Sequence, residues 1–180
     1  MSRAFVKEEQ PETPPTAPPR APLPGGVPNY VTARGLQLLR EEAEMLALER
    51  SRADAAPEGE LRRSALSLLA QRRAALDARL ASAVLVVPRN PCDEVRFATA
   101  VVVEGADGSE RTYRLVGVDE AAPDQGRIAF VSPVARALLG RRAGDVVTVR
   151  TPRGDETLTV ICVSGEPEEV ADRCGFAEEV

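Results

Sequence analysis

Two periodicities divide this chain. From Thr32 onward, Leu36, Leu39, Ala43 and Leu46 recur at spacings of three, four and three, which lines them up along one side of a helix as a seam for a single partner. Thr32 stands where an N-cap hydroxyl is wanted, and Arg40, Glu41, Glu42, Glu44 and Glu49 fall mostly off the seam. The spacing predicts a second helix over about residues 60–83, with Leu66, Leu69, Leu76, Leu80 and Ala83 on its seam and Arg73 as the misfit. Between the two, Asp54-Ala-Ala-Pro-Glu-Gly59 breaks the helix at Pro57 and Gly59 and allows a reversal. Two narrow seams joined by a short breaker predict an antiparallel α-helical coiled-coil hairpin over residues 29–87, with arms of about 35 Å at 1.5 Å per residue. The competing arrangement lays both helices on a sheet, but that would call for a wider apolar stripe.

After Pro88 and Pro91 the period changes. Residues 95–104 and 110–118 flank Gly105-Ala-Asp-Gly-Ser109, an Asp-Gly hairpin turn between β-rich segments. Residues 127–131 predict a short third strand. Ser132 then offers an N-cap, Pro133 takes the first helical position where no N–H is needed, and Gly140 suits the positive-φ position after the last turn. Strands over 146–151 and 156–163, turning at Pro152-Arg-Gly154, complete an expected antiparallel sheet of about five strands with one short helix in residues 88–165. The expected fold class is α+β.

Both ends read as tails. Residues 1–28 hold eight of the fifteen prolines and almost nothing large and apolar, so they are expected to be a disordered Pro-rich tail, with a Pro-rich docking ligand as the alternative. Residues 166–180 carry Glu166, Glu168, Glu169, Asp172, Glu178 and Glu179 and predict an acidic solvated tail.

Composition narrows the chemistry. The 180 residues include no histidine, which excludes Ser-His and Cys-His nucleophiles and His-containing zinc sites. Trp is absent and aromatics are 3%, too few for a base-stacking platform or an aromatic-lined pocket. A net charge of −5 argues against general nucleic-acid affinity, which needs clustered cations. Cys92, Cys162 and Cys174 are odd in number and show no CxxC pair, which predicts reduced thiols. No apolar run approaches a membrane span and the N-terminus lacks a signal-peptide pattern, so the expected location is the cytoplasm and no membrane partner is expected.

The densest local pattern, Ser132-Pro-Val-Ala-Arg-Ala-Leu-Leu-Gly140, occurs with Tyr113-Arg-Leu-Val-Gly117, Asp119-Glu120, Ile128, Gly144-Asp145 and Thr151-Pro152. With Tyr30-Val-Thr-Ala-Arg-Gly35 and Leu39-Arg-Glu-Glu42 at the first helix, this order of motifs resembles the bacterial transcript cleavage factors GreA and GreB over residues 28–165. The resemblance implies an FKBP-like C-terminal domain that docks on RNA polymerase at its secondary channel, while the hairpin reaches down the channel. Ser132 and Pro133 match the polymerase-contacting turn, and Val131 stands where that family carries a polar residue such as Asp or Asn.

The resemblance also implies that acidic tip residues hold a Mg²⁺ shared with the polymerase, with no cofactor of the factor's own. Mg²⁺ prefers hard oxygen ligands and activates water for in-line attack. The family pattern Gly-Asp-Leu-x-Glu-Asn-Ala aligns with Gly59-Glu-Leu-Arg-Arg-Ser-Ala65. Glu60 then stands for the first carboxylate and is the candidate metal ligand, while Arg63 replaces the second; Glu58 or Asp54 are the alternative acids. Each arm is also shorter than the family pattern by about a heptad, a loss of roughly 10 Å of reach. The expectation is a non-enzymatic factor that regulates elongation from the secondary channel with weak or no cleavage stimulation. It would meet nascent RNA only indirectly and bind no specific DNA sequence. The alternative is an active cleavage factor working through Glu60. A remote alternative, a peptidyl-prolyl isomerase, rests on the implied fold alone and would need a pocket built from Tyr30, Phe97, Tyr113, Phe130 and Phe176.

Overall fold

The computed structural model describes residues 16–88, 92–151 and 154–165. Strand β1 (Asn29–Val31) leads into helix α1 (Ala33–Ala55), and helix α2 (Glu60–Ala81) returns to strand β2 (Ala83–Leu85). The Thr32 hydroxyl accepts from Gly35 N at 2.9 Å and so caps α1 as its position predicts. The helices meet along the expected seam: Val31, Leu39, Leu46 and Leu76 are buried, with Leu36, Ala43, Leu69, Leu80 and Ala83 packed around them. Leu66 is half-buried. The misfit Arg73 is exposed, donating to Asp77 at 2.8 Å and reaching Ala43 O at 3.4 Å.

The end of the second helix differs from the sequence reading. Ala83 keeps its apolar contact but belongs to β2, which pairs in parallel with β1 in the register Asn29↔Ala83 and Val31↔Leu85. The helix stops earlier because Asn29 Nδ2 donates to Arg79 O at 2.8 Å and to Ser82 Oγ at 3.1 Å, occupying a carbonyl of the last turn. This small sheet ties the two ends of the hairpin together.

The second sheet comprises β3 (Ala100–Gly105), β4 (Glu110–Val116), β5 (Arg127–Ala129), β6 (Val146–Thr151) and β7 (Gly154–Ser164), in the order β5-β4-β3-β7-β6, with helix α3 (Pro133–Leu138) before β6. The fold is α+β, as expected, but the sheet is mixed rather than antiparallel throughout. β4 and β5 run parallel, pairing Leu115 with Ile128. The chain between them makes 3₁₀ turns at Val118–Glu120 and Pro123–Gln125, and this longer connection carries it back to the same end of the sheet, which a tight hairpin turn cannot do. β3 also begins later than expected, because Ala98 adopts φ 67° and Thr99 folds its hydroxyl back onto Arg96. Val101, Val103, Leu115, Leu138, Leu158 and Val160 form the centre of the core beneath α3.

The described part of the N-terminal segment is not a free tail. Arg20 donates to both carboxylate oxygens of Glu42, at 2.9 and 2.8 Å, and also reaches Asp119 at 3.2 Å. The composition argument weighed only apolar burial, whereas a guanidinium held by two carboxylates anchors the chain without it. Residues 1–15 and the acidic stretch 166–180 lie outside the described residues. Cys92 is a free thiol, but Cys162 is disulfide-bonded, against the expectation of reduced thiols; Cys174 lies outside the described residues.

Candidate functional site

Two places answer to the residues singled out by sequence, and they sit on different parts of the fold. The first is the turn between α1 and α2. Pro57 lacks a donor and Gly59 is the N-cap of α2, with no side-chain oxygen to cap the helix. Here each candidate carboxylate faces an arginine. Glu60 accepts from Arg63 at 2.9 Å, both side chains being about three-quarters exposed (77% and 76%). Asp54 lies 3.8 Å from both Arg50 and Arg62, and Glu58 lies 4.0 Å from Arg62.

The carboxylates are therefore spread among cations rather than gathered. Among the described residues no group of three or more acidic or thiol side chains is arranged to hold a metal ion. Mg²⁺ takes near-octahedral oxygen ligation, and the tip as folded offers single carboxylates with guanidinium neighbours, which do not fit such an ion. Between Arg50 and Arg63 four arginines (Arg50, Arg52, Arg62, Arg63) outnumber three acids. Leu61, one residue past Glu60, is 89% exposed, so the outermost surface of the tip is apolar as well as cationic.

The second place is the turn into α3. The Ser132 hydroxyl accepts from Ala135 N at 3.3 Å, and Pro133 occupies the first helical turn. Ser132 N donates to Ala129 O at 2.8 Å, which fixes the entry angle from β5, and Val131 is half-buried beside it. Gly140 has φ +79° and ends the helical segment, as its position predicts. Pro133 and Arg136, three residues apart on this short helix, are exposed, and Leu139, the residue that ends it, is exposed as well. Sequence reasoning took Ser132, Pro133 and Val131 but passed over Arg136 and Leu139, whose exposure an apolar-period argument does not report.

The aromatic residues do not line a hollow. Tyr30, Phe97 and Phe130 pack on one another with ring centroids 5.4 to 5.7 Å apart, which joins the start of the hairpin to the sheet domain. Tyr113 packs on the sheet core instead, and Phe176 lies outside the described residues. No helix among the described residues is long and apolar enough to cross a membrane.

Comparison with known proteins bears on both places. Residues 90–165 match the family described as "Transcription elongation factor, GreA/GreB, C-term". The chain is 37% identical over 150 residues to the transcription elongation factor GreA of Methylococcus capsulatus, a match spanning 74% of this chain and 95% of that protein. It is 34% identical over 152 residues to the transcription elongation factor GreB of Neisseria meningitidis serogroup A, across 75% and 93% of the two chains. The crystal structure of the GreA factor homolog 1 (Gfh1) protein of Thermus thermophilus aligns with a TM-score of 0.37 at 24% identity, covering 77% of this chain and all of that one (100%).

Proposed function

Because this chain belongs to the GreA/GreB family of transcription elongation factors, we propose that it binds RNA polymerase through the face carrying Ser132 and Pro133. Its hairpin then enters the secondary channel, where it modulates elongation without efficiently stimulating transcript cleavage. The observation that carries this reading is the Glu60–Arg63 pair at 2.9 Å. An exposed ion pair is weak, on the order of 0.2–1 kcal/mol, so the pair itself can open. The guanidinium charge stays nearby regardless, and like charges about 4 Å apart repel by roughly 1 kcal/mol in water and 4 kcal/mol at an effective dielectric of 20. A divalent cation doubles that cost. The tip thus opposes the ion that cleavage requires, while the chain keeps the means to dock.

A second reading, an active cleavage factor, draws on the 77% exposure of Glu60, which leaves its carboxylate free to reach a metal held by the polymerase. The prolyl isomerase idea has no such support, since the aromatic side chains are used in packing. The deciding experiment adds the protein and Mg²⁺ to a backtracked elongation complex, alone and in competition with a cleavage-active family member. Expected outcomes are little RNA shortening by the protein alone and slower shortening when it competes. Shortening that vanishes in Glu60→Ala would refute the non-cleaving reading, and failure to compete at all would refute docking.

A further inference from the structure

The N-terminal segment makes contacts that neither the tip nor the α3 turn explains. Ala17 N donates to Gln71 Oε1 of α2 at 3.2 Å. Arg20 clasps Glu42 of α1 and Asp119 of the 3₁₀ turn in the sheet domain. Arg79 of α2 donates to Ala21 O, and its Nε lies 3.2 Å from Asp119 Oδ2 in an ion pair without an aligned hydrogen bond. Two arginines and two carboxylates from four separate segments thus alternate in one network. It is well shielded: the Arg79, Asp119 and Arg20 side chains are 8%, 12% and 20% exposed. Leu23 is half-buried beside Ala75, Ala78 and Arg79 of α2.

The position of this network matters as much as its strength. The base of α1 is already pinned to the sheet domain where the Thr32 hydroxyl donates to the buried Glu120 carboxylate, next in sequence to Asp119. The other contacts of this junction, the Tyr30–Phe97–Phe130 packing and the Arg79–Asp119 ion pair, also sit at the base of the hairpin. Glu42 lies ten residues further along α1, about 15 Å from the pin at 1.5 Å per residue. A bond from Asp119 through Arg20 to Glu42 therefore acts at a distance from the pivot, where it resists swinging of the hairpin. The bidentate geometry on Glu42 adds directional stiffness that a single point charge lacks. The Arg20 guanidinium is held more firmly charged than usual, first by its hydrogen bond to Glu42 and then by the fields of Glu42 and Asp119, against the opposing effect of burial.

We propose that residues 17–21 are an intramolecular strap that fixes the angle between the helical hairpin and the sheet domain, with Arg20 as its clasp on Glu42 and Asp119. Releasing the strap frees the hairpin to swing about the Thr32–Glu120 pin while both domains stay folded. The inference does not depend on the partner proposed above. It follows from Pro18 and Pro19, which stiffen the segment just before the clasp, and from the four-segment network itself.

The test uses the full chain with spin labels introduced as non-canonical residues at Ser51 and Thr148, both exposed, one on α1 near the tip and one on β6. Pulsed dipolar spectroscopy should give one narrow distance peak in the wild type and lose that single peak in Arg20→Ala and in Glu42→Gln. Amide exchange at the base of α1 should accelerate roughly 5- to 30-fold, corresponding to one or two kcal/mol of lost restraint. Protection in β3 and β7 should not change. If either variant lost core protection, Arg20→Gln, which keeps much of the side chain and removes its charge, would replace it and should show the same broadening. An unchanged single peak in whichever of these variants stays folded would overturn the strap.

Discussion

Leu76→Ala is the sharpest probe of the hairpin, because it isolates how little apolar material holds the two arms together. Leu76 is fully buried (0% exposed) and belongs to a cluster with only three other buried members, Val31, Leu39 and Leu46. Removing the three outer carbons of the leucine side chain from such a site costs the transfer energy of those atoms plus a cavity term, about 2–5 kcal/mol across known cores. The half-buried neighbours Leu69 and Leu80 have room to relax into the space, so the lower part of that range, about 2–3 kcal/mol, is expected here. If the chain unfolds in one step, this lowers Tm by roughly 5–10 °C at the 2–4 °C per kcal/mol of a chain this size. Calorimetry gives the total, and amide exchange locates it: loss of protection should fall on α1 and α2 first. Leu61→Ala serves as the control, since an 89% exposed leucine at the tip should change stability by less than about 0.5 kcal/mol. Equal effects from the two variants, or a Leu76→Ala cost below about 1 kcal/mol, would refute the view that this thin seam holds the hairpin.

At the α3 turn, Ser132→Ala removes an N-cap and should destabilise by about 0.5–2 kcal/mol, whereas Ser132→Gly should cost only a few tenths. If the hydroxyl itself meets the polymerase, both variants weaken binding equally in a pull-down or anisotropy titration; weakening by Ala alone would show that Ser132 acts only as a cap. In the β3–β4 turn, the Asp107 carboxylate accepts from Ser109 Oγ at 2.6 Å and from Ser109 N at 3.0 Å. The side-chain bond first, and the backbone bond second, hold Asp107 below the ordinary aspartate range. Its contribution is therefore present above the unfolded value of about 3.9 and is lost as pH falls through the lower folded value. An NMR titration should place the Asp107 midpoint below the ordinary aspartate value, and a midpoint at or above about 3.9 would contradict the turn geometry.

Much of the fold was legible because local chemistry and tertiary packing agree at particular residues. Thr32, Ser132, Pro133 and Gly140 act through hydrogen bonds or backbone angles within their own turn, so neighbouring residues suffice to read them. The seam leucines were legible for a related reason: a helix places residues three and four apart on one face whatever it packs against. The β1–β2 pair was not, since three-residue strands carry too few alternations to register as a period. The parallel β4–β5 pairing depends on the path of the chain through two 3₁₀ turns, and strand composition says nothing of direction.

At the candidate site the same division holds. By itself the sequence determined that the tip carries Glu60 with Arg63 three residues later, a spacing that brings the two together on any helix, and that the α3 turn is capped. Only the tertiary structure decided that Arg62 reaches back across the turn to Asp54, and that the Pro-rich segment runs back to join Glu42 and Asp119. Those partners lie 22 and 99 residues from Arg20. Contacts at such separation come from the way the domains meet, and a charge pattern along the chain holds no record of which distant carboxylate a guanidinium will find.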